Sequence, residues 1–76
     1  MRKQRIEYDS PVDALVTVNK RLSGYEDRYR IKSEDFFDKF SKGKMEDSTE
    51  FVEWANDYQH FIVIRNEVER HLRNVA

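Results

Sequence analysis

The amino-acid sequence predicts an all-α fold, a small helical bundle of two long antiparallel helices joined by a short helix and preceded by an extended N-terminal arm. Three observations predict it. Apolar residues recur at alternating spacings of three and four over two long stretches, the signature of one buried helix face. Helix-start signals stand before each stretch. One Pro and two Gly in 76 residues leave little material for turns, so few elements must be joined by few loops.

Residues 1–9 (MRKQRIEYD) read as the arm, because Ile6 and Tyr8 alternate with Arg5 and Glu7, the period of a short extended strand or a tail. Residues 10–76 read as a single helical domain. Ser10-Pro11-Val12-Asp13 opens it. Ser10 suits the N-cap, Pro11 the first helical position, and Asp13 the acid of a capping box. Leu15, Val18, Leu22, Tyr25 and Tyr29 then form one seam running to about Arg30. Gly24 interrupts the seam, at about 1 kcal/mol relative to Ala, and marks where a break or kink would fall if the helix did not run through.

The second helix is expected to be short and capped by Ser33. Glu34 and Asp35 complement the dipole of its first turn, Phe36, Phe37 and Phe40 form its apolar face, and Gly43 closes it in the left-handed conformation. Asp47-Ser48-Thr49-Glu50 opens the last and longest helix. Phe51, Trp54, Tyr58, Phe61, Arg65, Val68, Leu72 and Val75 form its seam, in which only Arg65 is not apolar. The seam runs unbroken through Phe61-Ile62-Val63-Ile64, so a helix is favoured over the strand that those four residues would also suit.

Composition bounds the function. Net charge is −1, with no cysteine and ten aromatic residues, so neither disulfides nor thiolate metal sites brace the core, and aromatic packing must. Residues 1–33 hold eight Lys/Arg against five Asp/Glu, residues 34–57 three against eight, and residues 58–76 three against two. Without strong overall basicity, the chain is a poor candidate for binding nucleic acid by itself. The longest apolar run is the four residues from Phe61 to Ile64, too short for a signal core or membrane span. A cytoplasmic protein is expected.

The chemistry-bearing residues do not assemble into a catalytic or metal site, and no enzyme activity and no cofactor is expected. Asp57 and His60 share a helix face in an i,i+3 spacing known from di-metal bundles, but no second acid–His pair of that spacing is present to complete a site except through a dimer. Trp54 and Tyr58 lie on the seam and read as core. The interaction surfaces are more informative. Ile62, Val63 and Ile64 are consecutive and spread around the helix, so one neighbouring helix cannot bury all three. With Val68 and Leu72 they are the expected interface of a homodimer in which the long helices pair; another protein, or a monomer whose arm or short helix covers the surface, are the alternatives. Glu46, Glu50, Glu53 and Asp57 form an acidic stripe beside the seam, a solvated face or a docking surface for a basic partner.

Tyr8-Asp9-Ser10-Pro11-Val12-Asp13-Ala14-Leu15, Asp35-Phe36-Phe37 and Phe51-Val52-Glu53-Trp54-Ala55-Asn56-Asp57-Tyr58 together resemble a family of short prokaryotic helical proteins that look like the antitoxin halves of toxin–antitoxin pairs. The resemblance spans nearly the whole chain and rests on structural motifs. It implies a non-enzymatic protein that binds and neutralises a co-encoded partner, a small ribonuclease-like toxin. A regulatory subunit of a larger complex fits the same helical surface. A weakly nucleic-acid-associated protein, using Arg2, Lys3 and Arg5 with Arg70 and Arg73, is the reading from another class.

Overall fold

The computed structural model describes residues 10–75, and the N-terminal arm expected over residues 1–9 lies outside them. Within that span the chain is all-α: α1 runs Pro11–Tyr29, α2 Ser33–Ser41 and α3 Thr49–Val75, with no strand among the described residues.

Local chemistry accounts for most of the helix ends. The Ser10 hydroxyl accepts from the Asp13 amide at 3.3 Å, with Pro11 at the first helical position. Helix α1 passes through Gly24 without a break. Its tertiary contacts on both sides of Gly24 offset the weak helix propensity there. It stops at Arg30, which adopts φ 58° and donates its amide to the Glu26 carbonyl. This left-handed cap is held by a residue other than glycine, at about 1–2 kcal/mol of backbone strain. Helix α2 ends in a Schellman motif, in which the Gly43 amide donates to Phe40 and the Lys44 amide to Lys39. Gly43 has φ 74°, which glycine adopts without penalty. Helix α3 starts where the Ser48 hydroxyl accepts from the Phe51 amide at 3.1 Å.

The start of α2 corrects the expected cap. Lys32 holds the cap position and makes no side-chain cap bond, and Ser33 is already helical. A residue of α1 replaces the missing cap: the Glu26 carboxylate accepts from the Ser33 amide at 2.8 Å, placing negative charge where the helix dipole favours it. The Ser33 hydroxyl is left to accept from Trp54 Nε1 at 2.8 Å. Ser33 is buried, so this bond removes the desolvation cost of the indole N–H and satisfies the hydroxyl as acceptor.

Trp54 and Phe36 are the two fully buried large side chains, stacked with centroids 3.8 Å apart and planes 3° from parallel. Tyr25 and Tyr29 of α1 also stack on Trp54, at 5.2 and 5.6 Å. Phe51 meets Phe36 edge-on at 5.3 Å. All three helices therefore meet at one indole. Beyond this cluster Ala14, Val18, Leu22, Ala55 and Ile64 complete the core.

Contacts between α1 and α3 run in opposite order along the two helices: Tyr29 meets Phe51, Tyr25 meets Trp54 and Arg21 meets Asp57. Extending this register places the start of α1 beside about residue 67 of α3. The last two turns of α3 continue past it.

Candidate functional site

Two faces of the helix pair carry the residues singled out from sequence. The first is the apolar surface of α3, and the structure divides the five expected residues. Ile64 is 5% exposed and belongs to the core, and Val68 packs against that core. Ile62 is half-buried. Val63 and Leu72 are 62% and 59% exposed. They are nine residues apart, two and a half turns, so they point to opposite sides of α3. Val63 faces away from α1, whereas Leu72 continues the core seam into the overhang. The helix through Phe61–Ile64 is unbroken, which removes the strand alternative. Arg65 sits over the Phe61 ring, 5.5 Å from its centroid. An arginine is therefore accommodated in the seam by its π-face contact, with its charged head toward water.

The second face holds the acidic stripe, which proves to be one half of a mixed surface. Asp57 accepts from Arg21 Nε at 3.0 Å and from the Tyr25 hydroxyl at 3.3 Å. Seven residues earlier, Glu50 accepts from Arg28 and from the Tyr29 hydroxyl. Each carboxylate is thus held by one arginine and one tyrosine of α1. The equal seven-residue spacings of Arg21/Arg28 and Glu50/Asp57 make the two clamps fall in register. Exposed pairs of this kind contribute about 0.2–1 kcal/mol each, so their main effect is to fix register. Glu46 lies in the loop before α3 and Glu53 on α3, both exposed.

The clamps alter the tyrosines. Burial raises the Tyr25 hydroxyl pKa above its ordinary value, and the charge of Asp57 and its hydrogen bond add to the rise. Tyr29 is raised chiefly by its hydrogen bond to Glu50. Both phenols are therefore neutral donors at physiological pH.

Sequence reasoning missed three features of this surface. Val12 and Val16, 52% and 51% exposed, lie one turn apart on the outer side of α1; their i,i+4 spacing away from the seam was the available signal. Lys20, Arg21, Gly24, Tyr25, Arg28 and Glu50 line a shallow groove of about 240 Å³ along the charged face. Glu26, which no sequence signal singled out, holds the start of α2.

Among the described residues no group of His, Asp and Glu is arranged to hold a metal ion. The Asp57 carboxylate, half of the Asp57/His60 pair, is already taken by Arg21 and Tyr25. No helix among the described residues is long and apolar enough to cross a membrane. No family model, no curated protein and no solved structure matches the chain.

Proposed function

We propose that the chain is a non-enzymatic, cytoplasmic helical interaction module: two long antiparallel helices clasped by a short one, holding a second protein through the free end of α3. The concrete form of the reading is an antitoxin-like inhibitor of a co-encoded toxin. The observation that carries it is Leu72, an apolar residue 59% exposed on the part of α3 that runs past the start of α1. Val68, one turn earlier, is packed against the core, so a partner helix laid on Leu72 extends a hydrophobic seam that already exists. A helix seated this way reads apolar anchors at i and i+4.

The test is co-expression with the product of the adjacent gene. Growth arrest by that product, relieved by this chain and not by its Leu72→Asp variant, is the expected result. A neighbour that is harmless alone, or relief unaffected by Leu72→Asp, removes the reading.

A further inference from the structure

We propose that the chain also pairs with a second copy of itself, through the charged face shared by α1 and α3. This face carries two columns of opposite sign. Lys20, Arg21 and Arg28 lie on α1, and Glu50, Glu53 and Asp57 lie on α3. The Arg21–Asp57 and Arg28–Glu50 contacts set the columns at matching heights. A two-fold axis parallel to the helices lays the α1 of one copy over the α3 of the other without changing height. Each basic column then covers an acidic one, and the interface is isologous and closed. A two-fold axis across the helices would instead place like charge on like.

Gly24 supplies the second, independent argument. It lies mid-helix and exposed, and a Cβ built there meets nothing within 4 Å. Its φ is not positive, since Gly43 is the positive-φ glycine. Among the described residues nothing calls for glycine there, although it weakens α1 by about 1 kcal/mol relative to Ala. Close approach of another helix does call for it. By the register of α1 and α3, Gly24 lies level with Trp54 and Ala55, within half a turn of Glu53, whose charge also acts on Tyr25. In the dimer, Glu53 of the partner subunit therefore settles over Gly24, between Lys20 and Arg28. Lys20 and Glu53 make no ion pair within the chain among the described residues, so their charges are available to the partner.

The pairing does not depend on the free end of α3, and the two can fail separately. Light scattering of the whole chain over a dilution series tests it. The expected mass is twice 9.2 kDa for the wild type and for Leu72→Asp. Gly24→Gln should give a monomer whose helical circular dichroism is at least that of wild type. Lys20→Glu and Glu53→Lys should each raise the dissociation constant by about tenfold or more, and the double variant should recover most of the affinity. A monomeric wild type overturns the proposal. So does a dimer that survives Gly24→Gln, one indifferent to both charge reversals, or one dissolved by Leu72→Asp.

Discussion

The two ends of the α1–α3 pair bury their side chains by different means. Where α2 covers the pair, aromatic rings from three helices enclose Trp54 and Phe36, and neither retains any exposed surface. Where α2 does not reach, α1 and α3 are the described elements that do the work. Ala14, Val18 and Ile64 are buried there, while Val12, Val16, Val63 and Leu72 remain about half or more exposed. Two helices touch along one stripe each, and the remainder of each circumference stays wet. A third helix converts a stripe into an enclosed core. The covered end therefore holds the fold together, and the open end is where apolar side chains stay exposed.

Truncation breaks this comparison most sharply. Trp54→Ala should cost about 3–5 kcal/mol, and Val16→Ala at the open end should fall within about 0.5 kcal/mol of wild type, both read from urea unfolding midpoints. Similar losses at the two sites would mean that the open end is enclosed as fully as the covered one.

A smaller effect is expected at Ser33. Ser33→Ala leaves the Trp54 indole N–H buried without its acceptor, at about 1–3 kcal/mol. A change below about 0.3 kcal/mol in the same assay would show that this bond does not fasten α2. The smallest effect concerns pH. Tyr25 titrates above its unfolded value of about 10, so the folded chain holds the proton more tightly than the unfolded one. Its contribution is complete below about pH 10 and is lost as pH rises through the folded pKa. Tyr25→Phe should flatten that alkaline loss while costing about 0.5–1.5 kcal/mol near neutrality. An unchanged alkaline limb would remove Tyr25 from the account.

What was legible in the sequence follows from how local each cause is. The Ser10 cap, Pro11 and the left-handed Gly43 depend on neighbours within a turn or two, and the structure places them as the sequence requires. Ser33 was misplaced because its true partners, Glu26 and Trp54, lie 7 and 21 residues away. A serine before two acids looks like a cap whichever use the fold makes of it. The acidic stripe was visible as a spacing, but its pairing with Arg21 and Arg28 was not, since periodicity within one helix says nothing about the register of its neighbour. The apolar triplet Ile62-Val63-Ile64 was rightly read as too broad for one stripe. Which member turns inward is set by how α1 lies on α3, and that turned Ile64 to the core and Val63 to water.

The stacking of Phe36 on Trp54 has a further consequence, because Trp54 is the sole indole in the chain. It sits against a ring of α2 and under a hydroxyl of that same helix, so its fluorescence is tied to the seating of one nine-residue helix. Lifting α2 would wet the indole and shift its emission to the red while α1 and α3 still gave a helical circular dichroism signal. The protein thus carries a native optical probe that separates local detachment of α2 from global melting.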